Sequence, residues 1–599
     1  MLRLLTFSFS LFIFTCQITA QSPASTTVIT SIIVEENNIS GGGFQSDVTI
    51  TDDGLTIYSS ADVSGIFKST DGGLIYHNVN EGLRSPKVAS LAITPDNDQI
   101  LYAGTGDKGG SGGLFRSING GETWELPTDG LKAQFAGNHS VDSDPVPNGH
   151  PRSNGDLIAV DAGSMPASFT DDIVIAGTYK TGVRIFTQGG EMEVGAVETD
   201  GFVRSVANNP AVPNIAYAAI QFLDSSLNGI YRIDYSNLNA IASTLVFQTP
   251  LPEGLTVLGN GRVYAAIGDG GIAKFNGNTW TLKNIGLDVN NPLRQWSAVT
   301  SYEGGSLDVV YAGVNNLGGN ANGSMYSSVW RSVNGGNSWT PLVDANTNVS
   351  DTIYGQSNIW WYRDTGFPNA GLGRTNNVIS SIDVARGESQ FGTTDDIIYV
   401  SGRGGIWKSE NGGTSWQPAV HNMQATANRG VAVNPNNPKQ VIIANTDYVI
   451  LETSNRFEND NISRDKPQGS ESRAYNIFFD GTSNELIAGI GDRDTNNPGG
   501  GAVYTKSATA IGNPSDNGWT NTRIDQATAS NNGRVRAVTS GYHNGTSTTS
   551  QTILAVVEGE GVFRYHSGTW TQSTGITIGS TDRSNFCLLY TSPSPRDRG

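Results

Sequence analysis

One pattern of ten residues occurs four times in this chain and limits what the chain can fold into. It lies within GIFKSTDGGLIY (65–76), GLFRSINGGETW (113–124), SVWRSVNGGNSW (328–339) and GIWKSENGGTSW (405–416). The shared order is aromatic, basic, Ser, any residue, Asp or Asn, Gly, Gly, two residues, aromatic. An alternating strand ends at the Ser, the Asp/Asn-Gly-Gly step supplies positive-φ turn residues, and the last aromatic opens a return strand. Hairpins repeated through one chain call for a repeat architecture.

The turn side chains Asp71, Asn119, Asn334 and Asn411 are placed to bond turn amides, and Trp124, Trp339 and Trp416 to pack between neighbouring sheets. Degenerate copies (GVRIFTQGG, GIAKFNGNTW, GVFRYHSGTW) keep the frame, and with them ten units emerge: 43–83, 90–131, 155–198, 203–248, 250–288, 295–344, 378–423, 429–460, 472–525 and 534–575. Most hold four strands' worth of chain, the size of a β-propeller blade. The expected fold is therefore all-β, a β-propeller of four-stranded blades. One arrangement is a seven-bladed ring over 21–423 followed by three blades of a truncated second ring over 424–586; the alternative is a single ten-bladed ring. The motif resembles the Asp-box, or bacterial neuraminidase repeat, of sialidases, sortilin-type receptors and several glycoside hydrolases. That resemblance implies a structural role for Ser69, Asp71, Ser117, Asn119, Trp124, Ser332, Asn334, Trp339, Ser409, Asn411 and Trp416.

Bulk properties narrow the partners. The net charge is -18 with a pI near 4.7, which disfavours nucleic acid and anionic membranes. Residues 1–20, MLRLLTFSFSLFIFTCQITA, read as a secretory signal peptide, and no later run is long enough for a membrane span, so the expected location is extracellular, periplasmic or cell-surface. Cys16 lies in that signal. Cys587 opens CLLYTSPSPRDRG (587–599), which resembles the translation of a sequencing adapter, so the domain is expected to hold without a disulfide.

A second resemblance concerns function. The opening SGGGFQSDVTITDDGLTIYSSADVSGIFKS (40–69) is similar to the first blade of family 74 glycoside hydrolases, the xyloglucanases and related endo-β-glucanases. In that family a strand ends in Thr-Asp-(Ile/Val)-Gly-Gly, and its Asp is one of two catalytic carboxylates. The match falls on Asp62, with Ala61 in place of Thr and Ser64 in place of the first Gly. The family's second carboxylate lies in the first blade of a second propeller, which points to Asp447, followed here by Tyr448-Val449. The resemblance implies inverting hydrolysis, with Asp447 as acid and Asp62 as base about 6.5–9.5 Å apart. Asp107, Asp269 and Asp492 end strands in a similar way, which leaves a plain turn role open for any of them; Asp269 and Asp492 are the leading substitutes for the second carboxylate.

Of the eleven tryptophans, Trp296, Trp360 and Trp361 fall outside the repeat pattern. Trp360 and Trp361, in NIWWYRDTGF within a long insertion, are candidates for stacking on sugar rings. No metal-ligand spacing, nucleophile elbow or phosphate loop occurs, so no metal or cofactor is expected. The leading function is a secreted glycoside hydrolase-like propeller acting on a polysaccharide or cell-surface glycan. The alternative is a non-catalytic, sortilin-like binding or adhesion propeller. A sialidase lacks its arginine cluster here.

Overall fold

The computed structural model describes residues 44–106, 113–127, 159–163, 172–178, 181–290, 294–304, 307–316, 329–342, 379–387, 395–402, 405–423, 428–445, 449–454, 462–465, 473–491, 502–507, 518–522, 524, 535–542, 551–557 and 561–573. These residues form ten antiparallel sheets, nine of four strands and one of three, each a simple meander in chain order. The sheets span 45–78, 88–117, 159–197, 202–248, 255–282, 294–341, 379–418, 428–465, 473–522 and 535–572, and are numbered 1 to 10 below. Sheet 2 has three strands, with a bridge between Arg116 and Glu125 where a fourth would begin. Among the described residues helical structure is limited to a 3₁₀ turn, Ser225–Leu227, and a 3₁₀ position at Asp395. The all-β expectation is met, and its four-stranded units are seen directly.

The repeat motif folds as its chemistry dictates. Ser69 donates to Asp71 Oδ1 at 2.6 Å, and the same oxygen accepts from the N–H groups of Leu74 and Ile75 at 3.0 Å each. Asn119, Asn334 and Asn411 repeat this geometry, each accepting from the preceding Ser and from an N–H four residues on. The two glycines that follow Asp71 have φ of 73° and 83°, the left-handed region that a side chain would strain. Burial alone would raise the Asp71 carboxyl, but the bonds from Ser69, Ile75 and Leu74 outweigh it and hold it below its usual value. Asp71→Ala is expected to destabilise the protein by about 1–2 kcal/mol, as loss of a capping side chain does; chemical denaturation checks this.

Neighbouring sheets are joined by three recurrent contacts. On the innermost strands, a short polar side chain bonds the backbone of the next sheet. Asp47 accepts from Leu91 N at 2.9 Å, Ser90 from Val160 N at 3.2 Å, Asp161 from Asn208 N at 2.7 Å and Ser205 from Leu255 N at 3.1 Å. Asn476 accepts from Val538 N at 3.2 Å between sheets 9 and 10. On the outer strands, the basic residue of the motif reaches the next sheet's turn. Lys68 pairs with Glu122 at 2.6 Å, and Arg116 donates to Gly189 O, Lys274 to Gly335 O and Arg331 to Gly412 O. A second-strand tyrosine joins it: Tyr58 donates to Gly120 O, and Tyr102, Tyr264 and Tyr311 donate to Asp172, Asp308 and Asp396. The motif tryptophan points the other way, Trp124 donating to Val79 O of sheet 1 and Trp339 to Lys283 O beside sheet 5.

The same contacts join sheet 7 to sheet 1. Asp383 accepts from Ile50 N at 2.9 Å across 333 residues of sequence, and Lys408 and Tyr399 both donate to Gly72 O, at 2.7 and 2.9 Å. One apolar cluster runs through this junction, taking in Tyr311 of sheet 6, Ile398 and Trp416 of sheet 7, and Val48 and Ile57 of sheet 1.

Three of the innermost side chains are carboxylates that burial drives upward. Asp161 and Asp383 reach about 6 despite the N–H groups they accept from, and Asp47 also rises. Their unfolded value lies near 3.8. The folded chain thus holds these protons more tightly than the unfolded chain does. For Asp161 and Asp383 the contribution to stability is fully present below about 4 and is lost as pH rises through about 6, on the order of 2–3 kcal/mol per group, and Asp47 acts in the same direction. Asp71 acts oppositely, but its loss falls below 3.8, outside this window. Melting temperature is expected to be higher at pH 5 than at pH 7.5, and Asp161→Asn and Asp383→Asn each to flatten that slope in a calorimetric series.

Candidate functional site

Asp62 and Asp71 flank the third strand of sheet 1, Gly65–Ser69, and so lie at opposite ends of that sheet, about 16 Å of strand apart. Asp71 belongs to the turn between the third and fourth strands. Asp62 opens the connection between the second and third.

Several residues build the Asp62 connection. Gly65 has φ of 81°, and a Cβ there would meet the Asn80 side chain at 2.2 Å. Asn80 Oδ1 accepts from Ile66 N at 2.7 Å, while its Nδ2 donates to Ser64 O at 2.8 Å. Asn78 also donates to Ser64 O, Gly65 N donates to Pro86 O, and Asp62 N donates to Phe44 O. Asp62 itself is half-buried, with exposed Val63 beside it. A carboxylate is thus presented at the sheet end on a connection held by Asn78, Asn80 and the Gly65–Pro86 backbone bond. Asn284 makes the same lock in sheet 5, bonding Ile272 N and Gly270 O.

Strand register identifies what stands at the Asp62 position elsewhere. Ala61 pairs with Gly65, as Thr105 does with Gly113 and Ile220 with Gly229. The residues that follow are Gly106 and Gln221. In sheet 5 the pair Ala266–Ile272 matches Ser60–Ile66 and puts Gly268 there. Among these described positions Asp62 alone is a carboxylate. Asp269 is exposed and aligns with Val63, one place on, so it is not the sheet 5 counterpart of Asp62.

Asp447, Trp360 and Trp361 lie outside the described residues, as do Asp107, Asp492, residues 1–20 and residues 587–599. In sheet 8, Asn445 pairs with Val449 as Ala61 does with Gly65. Counting along the sequence from that pair, Thr446 matches Asp62, and Asp447 comes one residue later. Trp296 is fully buried, its ring 4.9 Å from that of Trp330, and is a core residue. Among the described residues no group of three His, Cys, Asp or Glu side chains could hold a metal, and no helix is long and apolar enough to cross a membrane.

No protein-family profile and no curated protein matches the sequence. Solved structures do match. A GH74 enzyme from Niastella koreensis aligns over 90% of this chain and 87% of its own, with 17% identity and a TM-score of 0.54. An ancestral GH74 enzyme aligns over 88% of this chain and 68% of its own, with 16% identity and a TM-score of 0.53. The chain is a β-propeller protein resembling the GH74 enzymes in fold. Identities this low speak for the fold alone, so the chemistry rests on the residues.

Two features of the site region escaped the sequence reading. The motif's basic residue was visible as a pattern, but its partner in the next sheet was not: Glu122 for Lys68, and turn carbonyls for Arg116, Arg331 and Lys408. The lock on the Asp62 connection depends on Asn80, fourteen residues past Ile66, with no local signal.

Proposed function

We propose that this is a secreted, glycoside hydrolase-like propeller acting on a β-glucan of the xyloglucan class, with Asp62 as the base of an inverting pair and Asp447 as its acid. The observation that carries this reading is the placement of Asp62, the one carboxylate at its position among the sheets compared, on a connection braced by Asn78, Asn80 and Pro86. Likeness in fold to the GH74 enzymes supports it. In this reading Trp360 and Trp361 stack on sugar rings, and the segment 1–20 directs export.

The domain arrangement we infer is a seven-bladed ring over 21–423 and the start of a second propeller over 424–586. The bonds from Asp383, Lys408 and Tyr399 to sheet 1 support closure after seven sheets. So does the uncovered inner strand of sheet 8. Val48, beneath sheet 7, is 2% exposed, whereas Val431, at the matching position in sheet 8, is 67% exposed. A single ten-sheet ring would bury both.

The offset of Asp447 favours a second reading, a non-catalytic glycan-binding or adhesion propeller. Reducing-end release from xyloglucan and mixed-linkage β-glucan separates the two. Release that depends on both Asp62 and Asp447 supports the hydrolase, and glycan binding without release supports the binder.

A further inference from the structure

In most sheets the innermost strand carries a register shift that leaves one extra residue near its start, at the end of the sheet where Asp62 lies in sheet 1. In sheets 1, 2, 4, 6 and 7 these extra residues are Ser46, Ala89, Arg204, Ser297 and Ser380. Only Arg204 is charged, and the buried carboxylate of Glu253 neutralises it. Sheets 8, 9 and 10 differ: their extra residues are Arg429, Tyr475 and Arg536. These three are contiguous. A Cβ on Gly430, next to Arg429, would lie 3.6 Å from the Cα of Asn476, next to Tyr475, and the Arg536 guanidinium sits 4.5 Å from the Tyr475 ring centroid. Tyr475 is buried and Arg429 is exposed. The pairing of Asn428 with Asn445 sets the sheet 8 shift beside the residue that leads into 446–448.

We propose that Arg429, Tyr475 and Arg536 form a subsite for an anionic sugar group, a uronic-acid carboxylate or a sulfate ester, carried on an otherwise neutral glycan. The planar guanidinium fork matches the paired oxygens of either group. Stacking on Tyr475 holds Arg536 in a fixed plane, with the ring face stabilising its charge. The protein's net charge of -18 disfavours densely anionic polymers. That field is screened within about 8–10 Å in physiological salt, so an isolated anionic substituent responds mainly to the arginines beside it. The inference takes its ligand class from the glycan reading above but does not require hydrolysis.

The test is isothermal titration of the intact chain with three probes: a glucuronic-acid-bearing xylo-oligosaccharide, a sulfated galacto-oligosaccharide, and a neutral xylo-oligosaccharide. At least one acidic probe is expected to bind tenfold or more tightly than the neutral one. That preference should fall below threefold in Arg429→Gln and in Arg536→Gln, and should weaken as salt rises. Which acidic probe binds identifies carboxylate or sulfate as the group recognised. Arg429 is exposed, so its variant remains informative if Arg536→Gln folds poorly. No acidic preference, or one that survives the Arg429 substitution, overturns the subsite. Arg429-dependent binding by a protein that releases no reducing ends leaves the subsite standing and removes the hydrolase reading.

Discussion

Trp416→Ala is expected to lower stability by about 3–5 kcal/mol, the cost of emptying a large aromatic site in a packed interior. Trp416 is 1% exposed and belongs to the cluster that runs through sheets 6, 7 and 1 and takes in Leu451 of sheet 8. Its substitution therefore opens a cavity where the seventh sheet meets the first. If about 400 residues unfold together, the melting temperature should drop by roughly 5 °C. Its ring nitrogen has no hydrogen-bond partner among the described residues, so Trp416→Phe should cost markedly less than the alanine variant. Equal losses from the two variants would mean that ring packing is not what Trp416 supplies. Equilibrium denaturation of the three proteins decides.

The second large effect concerns chemistry. Asp62→Asn is expected to reduce reducing-end release from β-glucan by about 10³-fold, the usual weight of a general base. The melting temperature is expected to change far less than the activity, because Asn80, Gly65 and Pro86 brace the connection. Asp71→Asn, at the other end of the same strand, should leave turnover intact, since Asn fills that turn position in three other copies of the motif. A loss of activity in Asp71→Asn equal to that in Asp62→Asn would show that the assay reports folding rather than catalysis.

The contrast between these two aspartates shows how far the sequence could be read. The motif turns were legible because their geometry is largely local: Ser, Asp or Asn, and two glycines within five residues specify the side-chain hydrogen bonds of the turn. The strands around them followed, and with them the all-β propeller. The latches between sheets were not legible. Asp47, Ser90, Asp161, Ser205 and Asp383 share no local motif, and their partners lie dozens to hundreds of residues away. Site positions also needed the register. Asp62 and Asp269 look alike as strand-end aspartates, yet pairing sets them one residue apart, and a one-residue step at a sheet end redirects a side chain. Counted along the sequence from the Asn445–Val449 pair, Asp447 falls one residue past the match to Asp62. Arg429, Tyr475 and Arg536 share no motif and become neighbours only because three strands carry their extra residue at the same place.

The most direct test of the account is equilibrium unfolding of residues 38–423 expressed alone. Closure of sheet 7 on sheet 1 through Asp383, Lys408 and Tyr399 predicts a fragment with fixed aromatic circular dichroism and a single cooperative transition. A fragment that lacks fixed tertiary structure, or that melts gradually without a transition, would contradict closure after seven sheets.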